Sequence, residues 1–316
     1  MKVFGGRSII ITGELYFAIL LFTQNNPNMK KTIFSLLLIF PLLVFSQKTD
    51  KKLTAELENC IKGFHGDIGI YFKNLKTGKT VAIHADTIYT TASIVKTTIL
   101  LGIMDKLDKD ALQYDQVFTY KDSLLYEGED ILGSFKNNEK ITLRKLIMLM
   151  LTTSDNTASL WLQSLAGTGM RINTILDSLG FEKTRMNSRT KGRHGDWEKY
   201  GWGQTTPKEM ARLFEMIFRK KIFSPAVSDR MIRVLSRNFW DDEGLSQIPP
   251  GVAVMSKNGA VDASRSEVML VNSKKNPYIL AVFTDNNKDT SWQPDNEAWV
   301  LIRKISKLVW EHKKRE

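Results

Sequence analysis

The 316-residue chain, 42% apolar with only 8 Pro and a formal charge of +11, carries enough apolar material for one or two packed globular domains, which excludes a disordered polypeptide except at the ends. A single cysteine, Cys60, cannot form an internal disulfide, and His65, His84, His194 and His312 are too dispersed for metal-ligand spacing, so neither a metal nor a cofactor is expected. The basic surplus is not gathered into Lys/Arg clusters interleaved with aromatics, so it reads as a solvated surface with no nucleic-acid partner.

In chain order, Met29 opens a stretch with Lys30 and Lys31, an apolar run from Ile33 to Phe45, and Ser46-Gln47. A positive start, a core too short to span a bilayer and a small residue at the end describe a signal peptide over 29–46, cleaved after Ser46. Residues 1–28 then form an upstream extension, and the mature chain is expected to be exported, periplasmic or secreted. Helical spacing covers Leu53 to Ile61, with Cys60 as a packing residue. The alternating runs Ile68 to Phe72 and Thr80 to Ile83 predict a hairpin, with Lys76-Thr77-Gly78 at its turn. Helical patterns run from Ser93 to about Arg219. Strand-like runs return at Val252 to Met255, Glu267 to Val271 and Tyr278 to Phe283. Ala298, Leu301, Ile302, Ile305, Leu308 and Val309 mark a terminal helix on whose stripe Trp299 and Trp310 read as core. Strands on both sides of a helical block predict an α/β fold of the α+β type: an antiparallel sheet flanked by helices, built from 47–92 plus 222–316, with an all-α domain inserted at 93–221.

Three short motifs stand out against that frame. Ser93-Ile94-Val95-Lys96 sits where Thr90, Thr91 and Ala92 lead into the apolar run Ile99 to Met104. Ser93 therefore lies at a helix N-terminus, next to free backbone N–H groups, with Lys96 on the same helix face. Ser154-Asp155-Asn156 falls where two helical patterns meet, and Lys257-Asn258-Gly259 follows the strand-like run ending at Met255. Singly, each has a plain structural explanation: a helix cap with a surface lysine, a second cap, and a strand end whose glycine permits close backbone approach. A second Ser-x-x-Lys, Ser188 to Lys191, lies in a polar, glycine-flanked stretch where no helix could hold the lysine against the serine.

Together, the order and spacing of the three resemble class A β-lactamases and the wider group of related serine hydrolases. The resemblance covers nearly all of the chain after about Leu53. Thr205-Thr206-Pro207 looks like the start of the helix after the family's Ω loop, and Leu245 to Gly251 like the lead into its lysine strand. The resemblance implies a β-lactamase or penicillin-binding-like fold with the serine site between sheet and helical domain. It implies that Ser93 carries the acyl group, Lys96 accepts or relays its proton, and Ser154 passes a proton to the leaving nitrogen. Asn156 would hold the substrate amide and Lys96; Lys257, Asn258, Gly259 and Arg265 would form the recess for a substrate carboxylate. The backbone N–H groups of Ser93 and Ala260 would form the oxyanion hole.

Two departures bear on activity. Asn258 replaces the usual threonine, which predicts altered substrate preference. Thr190 falls where the family's Ω loop carries the glutamate that activates the deacylating water, and a missing general base is worth about 10²- to 10⁴-fold in rate. His194, Asp196 and Glu198 lie in the same segment, and Glu198 is the candidate substitute base, although a solvated loop explains all three. A His84 or His194 triad lacks a Gly-x-Ser-x-Gly elbow. Three functions remain: a β-lactamase, an enzyme processing a peptidoglycan-like substrate, and a protein that is acylated and stays so. In each case the partner is a small-molecule β-lactam or peptidoglycan-like compound and the chain acts as a monomer. Specificity would rest on the loops Glu127 to Gly133 and Arg189 to Gln204.

Overall fold

The computed structural model describes residues 48–126 and 130–315, so the upstream extension, the signal peptide and its cleavage point at Ser46 lie outside the described residues, as does Glu127. Helix α1 (Lys51–Cys60) starts where the Asp50 carboxylate accepts the Leu53 amide at 3.1 Å, and its buried Leu53 and Leu57, four residues apart, form one stripe. Strands β1 (Asp67–Asn74) and β2 (Thr80–Ile83) form the expected hairpin, and the Asn74 side chain accepts the amides of Lys76 and Thr77 at its turn. Strands β8 (Ala253–Val261), β9 (Ser264–Asn272) and β10 (Tyr278–Asp285) complete an antiparallel sheet in the order β2-β1-β10-β9-β8.

Period-two alternation divides the sheet residues between two cores. Ile70, Phe72, Met269, Val271, Leu280 and Val282 pack with α1 and with Leu301, Ile302, Ile305 and Val309 of α9 (Glu297–Arg315). Tyr71, Val268, Leu270, Ile279, Ala281 and Phe283 face the helical block. Each such side chain, fully buried, stabilises the fold by about 1.5–3 kcal/mol before chain entropy is counted.

The block is not the unbroken helical run that the periodicity suggests. Strands β4 (Val117–Thr119) and β5 (Lys140–Thr142) pair with each other, and β3 (Tyr89–Thr90), β7 (Gly203–Thr205) and β6 (Arg185–Met186) make a third small sheet. Two or three residues are too few for their alternation to register in sequence. The helices are α2 (Lys96–Asp108), α3 (Leu143–Met148), α4 (Asn156–Leu165), α5 (Thr168–Ser178), α6 (His194–Tyr200), α7 (Pro207–Phe218) and α8 (Pro225–Leu235). Helix α2 is buried on nearly every side and forms the axis of the block. Helix α7 begins at Pro207 behind the capping hydroxyl of Thr206 and packs against β1, β9 and β10, tied there by the 2.7 Å Lys73–Glu215 ion pair. Although α7 falls within 93–221, it belongs to the layer that covers the sheet.

Candidate active site

Ser93 stands in a single 3₁₀ turn, Ala92–Val95, that runs directly into α2. Ala92 has φ of 42°, a left-handed conformation that a side chain adopts only under constraint from its surroundings. Strand β8 lies close against this turn: a Cβ added at Gly259 would lie 2.7 Å from the Thr91 carbonyl oxygen and 2.9 Å from the Ser93 nitrogen. Glycine at this position lets the strand edge lie against the backbone of the serine.

Lys96, one turn along, is 1% exposed. Its Nζ lies 3.1 Å from Ser93 Oγ, 2.9 Å from Ser154 Oγ and 2.8 Å from Asn156 Oδ1, and it also donates to the Ser154 carbonyl. Burial pushes its pKa down to about 7, against the pull of the Asp130 and Asp155 carboxylates. Three of the residues singled out in the sequence, Ser93, Ser154 and Asn156, thus converge on the nitrogen of a fourth.

Ser154 reaches it because helix α3 ends in a wide π turn, Leu149–Thr153, after which Ser154 takes φ of 62°. Asp155 does not face the lysine. Its carboxylate caps α4 through the Ala158 amide at 2.7 Å and accepts the Leu132 amide at 2.8 Å, while burial raises its pKa. Asp130, which belongs to none of the sequence motifs, accepts the amides of Asn156 and Thr157 at 2.9 and 2.7 Å and so fixes where the Asn156 side chain starts. A lone aspartate in a loop gave no signal of this.

Lys257 projects from β8 and is fully buried. Its Nζ donates to the Asn258 carbonyl at 2.8 Å and lies 3.3 Å from Asn258 Oδ1. Burial, and after it the Lys96 charge, holds its pKa well below the lysine range, while Glu267 pulls the other way. Glu267, itself buried and raised to about 8 by desolvation, accepts the amides of Gly244 and Leu245.

Arg265 does not join this recess. The β8–β9 register sets Lys257 opposite Val268 and Arg265 opposite Ala260, so alternation sends the two side chains to opposite faces of the sheet. The Arg265 guanidinium lies between the rings of Trp292 and Trp299, 4.4 and 4.8 Å from their centroids, and donates to the carbonyls of Asp262, Ser264, Thr290 and Ser291.

The Ω-like segment 185–205 is held by a mixture of arginine contacts, such as Arg185 to Asp177 and Arg193 to Asn187 and Gln204, and neutral ones. Thr190 Oγ1 donates toward the carbonyls of Met186 and Ser188, 3.0 and 3.1 Å away, and packs over Gly169, where an added Cβ would come within 1.9 Å of it. Its hydroxyl is directed into the loop. Glu198 is 62% exposed and pairs with the 80% exposed His194 at 3.2 Å, and Asp196 pairs with Arg193. Among the described residues none of the three contacts Ser93 or Lys96. No group of His, Cys, Asp and Glu among the described residues has metal-binding geometry.

Residues 52–313 match the family model described as the beta-lactamase enzyme family. The chain belongs to that family. Among its relatives, the β-lactamase VEB-1 of Pseudomonas aeruginosa is 24% identical over 295 residues, covering 90% of this chain and 97% of that protein. A β-lactamase of Bacteroides uniformis is 24% identical over 237 residues, 69% and 77% of the two chains. In fold, the chain is similar to a PBP-A mutant solved as an acyl-enzyme complex with penicillin G, with a TM-score of 0.75 and 21% identity over 85% of this chain and 99% of that one. It is also similar to a class A β-lactamase from Bacteroides cellulosilyticus, with a TM-score of 0.74 and 20% identity over 84% and 98%. The α/β arrangement of a helix-flanked antiparallel sheet is therefore that of the β-lactamase and penicillin-binding fold.

Proposed function

We propose that the protein is an active-site-serine hydrolase that opens a β-lactam-type amide through an acyl-Ser93 intermediate. The observation that carries this is the buried Lys96 Nζ, 3.1 Å from Ser93 Oγ, with its pKa brought down to about 7. A serine hydroxyl becomes a nucleophile only as a base takes its proton, and a lysine can be that base only as the free amine. Neutral Lys96 donates its two N–H bonds to the Ser154 carbonyl and Asn156 Oδ1 and turns its lone pair to the Ser93 hydroxyl. Attack forms the Ser93 Oγ–carbon bond. Its proton passes to Lys96, then through Ser154 Oγ at 2.9 Å to the leaving nitrogen as the amide C–N bond breaks. The Ser93 amide stabilises the oxyanion beside β8, and Lys257 with Asn258 meets the substrate carboxylate.

A second reading, acylation with slow release, is supported by Thr190. Its hydroxyl is committed to two loop carbonyls, and neither Thr190 nor the exposed Glu198 hydrogen-bonds Ser93 or Lys96, so among the described residues Lys96 is the base seen against the serine. We place the reaction outside the cytoplasm on the strength of residues 29–46. N-terminal sequencing of exported protein should begin near Gln47, and any other start overturns that placement.

The test is intact-mass spectrometry of the purified protein mixed with benzylpenicillin, sampled over time beside Ser93→Ala. An adduct that requires Ser93 and clears as product accumulates supports a β-lactamase. One that persists supports slow release, and none at all overturns acyl-serine chemistry on β-lactams.

A further inference from the structure

The segment following α8 exposes two large aromatic side chains, Phe239 and Trp240, at 63% and 46%. They form an edge-to-face pair with ring centroids 5.2 Å apart, an arrangement that holds both rings in place at the surface. Single exposed apolar residues are ordinary, but an ordered aromatic pair is uncommon without something to cover it.

Hydrogen bonds fix this pair to both edges of the serine site. On one edge the Phe239 amide donates to the Thr152 carbonyl at 3.0 Å, and Trp240 Nε1 donates to the Thr153 carbonyl at 2.9 Å, immediately before Ser154. On the other, the Asn238 amide nitrogen donates to Ser256 Oγ at 3.2 Å and lies 3.5 Å from Asn258 Oδ1, so it grips β8 on both sides of Lys257. The Trp240 backbone amide closes the turn on Asn238 Oδ1 at 3.3 Å. The rings therefore stand beside the end of the site that holds Ser154, Lys257 and Asn258. On the acyl-serine reading, on which this inference rests, that end receives the leaving half of the substrate.

We infer that Phe239 and Trp240 form a subsite for a flat apolar or aromatic substituent on the leaving-amine side of the substrate. The withdrawal of Arg265 fits the same specificity, because it leaves this end with one fewer fixed cationic group. A ring stacked on the pair would be worth at least about tenfold in kcat/KM over a methyl group at the same place.

The probes are two cephalosporins with the same acyl side chain, one with a styryl and one with a methyl group on the ring carbon that departs with the nitrogen. The ratio of their acylation rate constants is measured for the wild type and for Phe239→Ser, whose side chain makes no hydrogen bond. Phe239→Tyr serves as the conservative rescue, and Trp240→Phe keeps a ring while removing the bond to Thr153. The expected result is a styryl preference of at least about tenfold that collapses in Phe239→Ser and returns in Phe239→Tyr. A merely structural role would lower both rate constants alike and leave the ratio unmoved. An unchanged ratio beside normal Ser93 adducts overturns this inference alone, whereas no Ser93-dependent adduct with either compound overturns the acyl-serine reading and this inference with it.

Discussion

The sharpest consequence of the site is the pH dependence of acylation. Lys96 has its pKa pushed down to about 7 by burial, and only its neutral form has a lone pair for the Ser93 proton. The sign follows directly: lowering pH protonates the amine and slows the step, and raising pH frees it until nearly every molecule is competent. For one titrating group with that midpoint, the neutral fraction is about one tenth at pH 6, one half at pH 7 and nine tenths at pH 8. The acylation rate constant should therefore rise about fivefold from pH 6 to pH 7, less than twofold from pH 7 to pH 8, and then level off. A lysine with its ordinary value near 10.5 would instead give about tenfold per pH unit across that whole range. Single-turnover acylation of the full chain, quenched and read by intact mass with Ser93→Ala as the blank, measures this curve. A flat profile, or a tenfold rise per unit persisting above pH 8.5, would refute the assignment of Lys96 as the base.

Gly259→Ala should cut acylation by at least about tenfold, because the new Cβ would press on the Thr91 carbonyl and the Ser93 amide; the same single-turnover assay reads it, and an unaffected rate would show that the strand can yield. Asp155→Ala removes the cap of α4 and an acceptor for the Leu132 amide, a loss of about 1–3 kcal/mol by urea unfolding, and a change below about 0.5 kcal/mol would contradict the role. Glu198→Gln should leave the acyl-enzyme lifetime unchanged, since that carboxylate is exposed and paired with His194; a much longer lifetime in time-resolved mass spectra would make it the deacylation base after all.

The sheet, the flanking helices and the pairing of Ser93 with Lys96 were legible from residue type and periodicity, whereas the convergence of Ser154 and Asn156 on Lys96 was legible only through the family resemblance, because no local spacing brings residues so far apart in the chain together. Lys257 was legible through the same resemblance, and the strand-like run ending at Met255 placed it on β8. Arg265 was not. Its distance from Lys257 along the chain is similar whichever face it takes, and only the hairpin register, with Ala260 opposite Arg265, decides the face. The short strands β3 to β7 escaped because two or three residues carry no readable alternation. Asp130 and Asn238 act through hydrogen bonds to backbone amides and neighbouring polar groups, contacts that leave no periodic trace.

The fate of Arg265 has a consequence for how the recess tells substrates apart. A guanidinium remains charged at any physiological pH, but this one is closed off between two indoles and engaged by four carbonyl oxygens. What faces the carboxylate position is Lys257, a cation that burial and a neighbouring lysine already push toward neutrality. On the acyl-serine reading, the attraction for an anionic ligand therefore rests on a buried ammonium that desolvation makes easier to neutralise than a guanidinium. A carboxylate placed there would meet a single point charge, not a planar fork, so two-pronged recognition is given up at this position.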